Sequence, residues 1–185
     1  MMSYNINDYT PFREGNHPVF PSSENGCKHV GKNINRQSIR HFKVDGEIFK
    51  GPGEERCDFL LLNDESTPKT SYYIELKGSD LPKAIRQIEN TIKLLSPSLR
   101  GYVVLRRIVY HTGSHNVRAS SVLRWRAKYN AVIKEREYSE TSNSISRARS
   151  GMTPRLIRSA GVFSATATLW PLTVMLGRAS HWVKA

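Results

Sequence analysis

The 185-residue chain predicts an α/β layer fold, a small mixed β-sheet flanked by helices, followed by a stretch of different character. Two observations lead to this. Short apolar runs of strand type come first, and the pattern then switches to helical period and alternates helix, strand, helix, strand. After about residue 138 the composition shifts to Ser, Thr and Arg, with Glu140 the only acid.

The elements can be justified in order. Residues 1–38 are rich in Asn, Ser, Pro and Gly with little periodicity and read as loop with one short helix, an N-terminal part of the core. The core itself spans 39–138. Ile39 to Val44 and Glu47 to Lys50, separated by Asp45-Gly46, carry the signature of a two-residue hairpin. "CDFLLL" (Cys57 to Leu62) is an apolar run of the length of a strand buried on both faces, and "SYYIEL" (Ser71 to Leu76) is rich in aromatic and branched residues. "NDESTPKT" between them is a polar connection. From Leu81 to Leu95, Ala84, Ile85, Ile88, Ile92 and Leu95 share one helical face while Arg86, Glu89 and Lys93 face away; Asp80 is the expected N-cap, Pro82 fits the first turn, and Ser96-Pro97 ends the element. Gly101 to Tyr110 reads as a strand, Ser120 to Tyr129 as a short helix, and Ala131 to Glu137 as a last strand. Residues 139–185 read as a separate Ser/Thr/Arg-rich tail. Within it Gly161 to Gly177 is uncharged but short, interrupted by Pro171 and diluted by Ser164 and three threonines, which fits a docked apolar segment or a poorly ordered extension better than a membrane span.

Charge is distributed unevenly. The formal net charge is +12, yet Met1 to Leu76 holds nine basic residues against eleven acidic ones, and Lys77 to Arg136 holds thirteen basic against three acidic. A polyanion is therefore expected over the second half, nucleic acid first and an anionic membrane second. Arg106 and Arg107, and Arg124, Arg126 and Lys128 in "LRWRAKY", are the candidate backbone contacts, with Trp125 and Tyr129 as core anchors between the bases. Two cysteines make no disulfide framework, and no charged stretch followed by an apolar run opens the chain, so a reducing cytoplasm is expected. Cys27, His29 and Cys57 lack the paired knuckles of a zinc site, and no Gly-rich nucleotide loop is present.

The chemistry concentrates in "YYIELKGSD" (Tyr72 to Asp80), where two charges are set into an apolar strand. Alternation puts Tyr73, Glu75 and Lys77 on one face and Ile74 and Leu76 on the other. Antiparallel pairing with Leu62 opposite Ser71 brings Asp58 opposite Glu75. Facing carboxylates repel unless a cation or a shared proton relieves them, and a hard divalent ion such as Mg²⁺ is commonly held by one or two carboxylates. Such an ion acidifies bound water and neutralises charge on a phosphate, and an adjacent lysine can orient the nucleophile. The bland alternative makes Tyr73, Glu75 and Lys77 the wet face of a half-exposed strand and Asp58 a polar residue at a strand entrance.

An Asp, sixteen residues, then Glu-x-Lys, followed by "GSD" and an amphipathic helix, resembles the PD-(D/E)XK nuclease superfamily over Ile39 to Glu137. The resemblance implies a restriction-endonuclease-like core and a Mg²⁺-dependent nuclease, with Mn²⁺ a possible substitute and DNA the favoured substrate. It makes Asp58 and Glu75 the metal ligands and Lys77 the catalytic lysine, and it points to Gln87 as a further site residue, as some branches carry a glutamine on the helix after Glu-x-Lys. Cys57 stands where the name-giving pattern has proline, and the acid that many members add from a preceding helix would be Glu14 or Glu24, neither in a readable helix. The competing reading is a catalytically inactive nucleic-acid-binding module on the same fold. Oligomeric state is open, a dimer included.

The basic half generates a first prediction. Nucleic-acid binding should weaken steeply as salt rises, whatever the base sequence, because the attraction works by counterion release. Filter binding or fluorescence anisotropy between about 50 and 200 mM salt measures it; a flat response would remove the polyanion reading.

Overall fold

The computed structural model describes residues 4–51, 55–111 and 115–141, so the Gly161 to Gly177 segment lies outside the described residues. A 3-10 turn at Ile6–Asp8 precedes β1 (Arg13–Gly15), β2 (Val19–Glu24), β3 (Cys27–Lys32), β4 (Ile39–Lys43), β5 (Phe59–Asn63), β6 (Thr70–Lys77), α1 (Leu81–Leu95), β7 (Val103–Tyr110), a second 3-10 turn at His115–Arg118, α2 (Ser120–Tyr129), β8 (Val132–Glu135) and β9 (Glu137–Thr141). The strands form a six-stranded mixed sheet, ordered β1-β4-β5-β6-β7-β8, and a three-stranded sheet, β2-β3-β9. The fold is thus mixed α/β, richer in strand than the sequence predicts.

Period-2 alternation explains the layering. Leu60, Leu62, Tyr73, Ile108 and Ile133 point to one face of the large sheet and pack with Leu81, Ala84, Ile88, Leu95 of α1 and with Val122 and Trp125 of α2. Phe59, Leu61, Tyr72, Ile74, Leu76 and Val109 point to the other face, where Phe20 and Cys27 of the small sheet cover them. Each fully buried aliphatic side chain contributes about 1.5–3 kcal/mol. The described residues therefore form three layers, helices, large sheet, small sheet, with two apolar seams.

The central strands pair as the sequence predicts: β5 and β6 are antiparallel with Leu62 opposite Ser71 and Phe59 opposite Ile74. β6 then pairs parallel with β7, and β7 with β8, which the intervening helices allow. Both helices also have the expected bounds, and the Asp80 side chain accepts from Lys83 N at 2.9 Å as the N-cap of α1. Trp125 is buried, as expected of a core anchor.

Three expectations are corrected. Residues 13–32, read as loop, supply three strands, and the device is Asn25-Gly26, both at positive φ (50° and 72°), the two-residue turn that joins β2 to β3. Pro21 is tolerated because β2 is an edge strand. Asp45-Gly46, read as a hairpin, makes only a tight turn closed by Phe49 N donating to Val44 O at 3.2 Å and Gly46 N to Phe49 O at 3.1 Å; the partners of β4 are β1 and β5. The last strand is broken at Arg136, whose left-handed φ of 57° turns the chain out of the large sheet and into the small one. Its N–H donates to Tyr110 O and its carbonyl accepts from Lys28 N, both at 2.8 Å, so one residue bridges the two sheets. The core consequently runs through Thr141 instead of ending at 138. Among the described residues no helix is long and apolar enough to cross a membrane.

Between the sheets, His41 is fully buried, with Ser22 Oγ 3.0 Å from Nε2. Burial, then the nearby His29 and Arg13, lower its pKa to about 4. The unfolded chain takes up this proton first, so the contribution is complete above about pH 6.5 and is lost as pH falls toward 4. The difference in unfolding free energy between wild type and His41→Gln, which cannot titrate, should move against wild type by about 2 kcal/mol between pH 7 and pH 5 in urea melts. A pH-independent difference would show that His41 is not held neutral.

Candidate metal and nucleic-acid site

The site lies at the C-terminal end of β6, the central strand. Continuing the β5–β6 register by one step sets Asp58 opposite Glu75, and the Asp58 carboxylate accepts Leu76 N–H at 2.6 Å through Oδ2. Glu75 is 1 % exposed and Tyr73 1 %, so this face of β6 is dry and the wet-face reading is excluded. Lys77, last in the strand and partly exposed, has Nζ 3.5 Å from Glu75 Oε1 and donates to Gln87 Oε1 at 2.8 Å. Gln87 projects from the first half of α1 and donates in turn through Nε2 to Arg56 O at 2.8 Å. Asp58, Glu75, Lys77 and Gln87 are thus brought together, as the sequence predicts for their positions.

The electrostatics follow from burial. Desolvation pushes the carboxyl of Asp58 up, opposed by the Leu76 N–H and Lys77 and helped by Glu24 and Asp45. Desolvation also raises Glu75, with Asp58 the next cause and Lys77 acting against it. Two neighbouring acids are therefore held above the ordinary carboxylate range, the expected state of like charges in one dry place. Glu75 Oε2 is buried and has no hydrogen-bond partner. An orphaned acceptor of this kind marks a place for a ligand, ion or proton.

The two candidates for an upstream acid separate clearly. Glu14 pairs with Arg40, which lies opposite Leu62, itself opposite Ser71. It is thus three strands away, about 14 Å, and four residues, about 13 Å, from the level of Glu75. Glu24 ends β2 beside the Asn25-Gly26 turn, and its charge raises both Asp58 and Glu75. Cys27, across that turn, sends its thiol to Lys77 O at 3.5 Å, fastening the hairpin tip to the end of β6.

The basic residues divide. Arg124, Arg126 and Lys128 are exposed on α2. Arg106 and Arg107, expected at a nucleic-acid surface, are 8 % and 4 % exposed and engaged inside. Being neighbours on β7, they point to opposite faces. Arg106 pairs with Glu89 of α1 at 2.6 Å and lies 3.9 Å from the Tyr129 ring centroid, and Trp125 Nε1 donates to the same Glu89 at 2.9 Å. Arg107 Nε reaches both oxygens of Glu140, at 2.6 and 2.8 Å, and His29 Nε2 lies 2.8 Å from Oε1 of the same carboxylate. These arginines hold layers together and are not free for phosphate. Cys27 and Cys57 face opposite seams, so no zinc site forms with His29.

Among the described residues no group of three or more His, Cys, Asp or Glu side chains is gathered to hold a metal ion, so the candidate is a two-carboxylate site. Sequence reasoning missed Arg56, Asn90 and Thr91, which support it; the one signal for Thr91 was a polar residue four after Gln87 on an apolar helical stripe. No family model, curated protein or solved structure matches this chain.

Because an ionised Asp58 is costly in this dry place beside Glu75, Asp58→Asn should raise metal-free stability at neutral pH by about 1 kcal/mol. The sign depends on pH. Carboxyls with folded pKa values above the unfolded ones destabilise as pH rises through that interval, so the gain should shrink as pH falls and vanish near about pH 4. Thermal melts of both proteins in chelator across this range are the measurement; simple destabilisation at all pH would make Asp58 a structural strand residue.

Proposed function

We propose that this chain is a metal-dependent nuclease of the PD-(D/E)XK type, hydrolysing phosphodiester bonds of nucleic acid, DNA in the first place, on a restriction-endonuclease-like core. The observation that carries the reading is the buried Glu75, with Oε2 unpartnered, set beside Asp58 and 3.5 Å from Lys77. Two raised carboxylates, one of them with an unpartnered oxygen, form a donor set suited to Mg²⁺ or Mn²⁺, which needs only one or two protein carboxylates and keeps waters and phosphate oxygens in its remaining positions. Asp58 and Glu75 would hold the ion, with Glu24 a further acid whose charge reaches both. When bound, it supplies an acidified water and Lewis-acid stabilisation of the phosphate.

The chain's own residues do the rest. The ammonium of Lys77 has three donors; Gln87 takes one and Glu75 neighbours another. The third is available to a phosphate oxygen, where it offsets charge developing in the transition state. Gln87 prevents Lys77 from collapsing fully onto Glu75. Arg124 and Lys128, four residues apart, share one exposed face of α2 for backbone phosphates, Arg126 is exposed on its other flank, and Arg106 and Arg107 drop out of that role.

Plasmid and single-stranded DNA should be cut with Mg²⁺ and left intact with chelator. Asp58→Asn should abolish cleavage, and Lys77→Ala should lower it by about 10²–10³-fold while leaving the Mg²⁺-induced rise in melting temperature. A wild type whose melting temperature ignores Mg²⁺, and which binds DNA without cutting it, would be the non-catalytic binding module instead.

A further inference from the structure

Ahead of β5 the chain runs through Glu55, Arg56 and Cys57 in no regular structure, and these residues decide where Asp58 arrives. Side chains of α1 hold this stretch in place. Asn90 Nδ2 donates to Glu55 O at 2.9 Å, Gln87 Nε2 to Arg56 O at 2.8 Å, and Cys57 N–H donates to Thr91 Oγ1 at 2.9 Å. Three consecutive residues are thus read by one helix face. Arg86 adds an ion pair to the Glu55 side chain at 2.9 Å.

Thr91 is the most constrained of these. It is fully buried, and its hydroxyl proton is committed to Gln87 O at 2.8 Å, one turn back in the helix. The lone pairs therefore face outward, toward Cys57 N–H. Asp58 is consequently tied from both sides, through the preceding amide to Thr91 and through its own carboxylate to Leu76 N–H. The same helix fixes Lys77 through Gln87, so the acid and the base of the site take their places from one rigid element.

We propose that Thr91 and Asn90 are positioning residues of the site, holding the Glu55–Cys57 segment against α1 so that Asp58 is set beside Glu75. This rests on the nuclease reading, and touches neither substrate nor ion directly. Groups that orient metal ligands typically change metal affinity by about 10–100-fold when removed.

The test is Mn²⁺ titration by calorimetry on the intact chain, with amide hydrogen exchange read at Leu76. Thr91→Val, close in shape and lacking the acceptor, should weaken Mn²⁺ binding by about tenfold and speed exchange at Leu76. Thr91→Ser, which keeps the hydroxyl, should restore both. Ile88→Val, on the same helix with no hydrogen bond to the segment, should lower the melting temperature and leave Mn²⁺ affinity unchanged. If Thr91→Val does not fold, Asn90→Ala should weaken Mn²⁺ in the same direction. Wild-type affinity in Thr91→Val, or in Asn90→Ala where that variant is the one measured, overturns the positioning role while leaving the nuclease reading intact. A wild type that takes no Mn²⁺ overturns both.

Discussion

Two facing carboxylates, one just ahead of β5 and one in β6, placed where water is largely excluded, are the constraint around which the molecule is organised. Left to themselves Asp58 and Glu75 disfavour the sheet that brings them together. They can stay because the surrounding strands are heavily buried: β6 is central, buried on both faces, and continuous with β5 and β7. The fold supplies more cohesion there than the like charges remove. Such local conflict with an otherwise consistent architecture is where function is usually found.

The layers are fastened by a second pair of charges with the opposite logic. Arg106 and Arg107 leave β7 toward opposite seams, each meeting one carboxylate, Glu89 on the helical side and Glu140 on the small-sheet side. Each guanidinium sits against a tyrosine ring as well, Tyr129 and Tyr72. A buried charge with a matched partner is tolerable, and removing either partner alone would strand the other. Adjacent arginines in one strand therefore orient the two outer layers on the central sheet.

Much of this was legible in the sequence where local pattern and tertiary context agree. The register of β5 and β6 followed from two apolar runs and a polar connection, and α1 and α2 from period and caps, so the assembly of Asp58, Glu75, Lys77 and Gln87 could be anticipated. What failed were signals that context decides. Asn25-Gly26 and Asp45-Gly46 are both hairpin dipeptides, but only the first is flanked by strands that pair with each other, and Pro21 and the polar Ser22 and Ser23 concealed β2. Arg106 and Arg107 looked like surface charge because their partners are distant in sequence: Glu89 on the preceding helix, and Glu140, which stood out only as the lone acid in a basic stretch. Thr91 was hidden because a threonine on an apolar stripe is a common packing residue.

The bend at Arg136 bears on how the chain comes to exist. β9 lies parallel to β3, pairing Lys28 with Glu137 and Lys32 with Thr141, so the small sheet joins two segments separated by nearly the whole core. During synthesis, which proceeds from the N-terminus at about 5–20 residues per second, the β2–β3 hairpin emerges early with one edge of β3 unclaimed. The buried His29 has no Glu140 to meet until the ribosome has delivered β9. Until β9 is made the nascent protein thus carries an open strand edge and a polar group meant for the interior, the combination that a completed β3–β9 ladder removes.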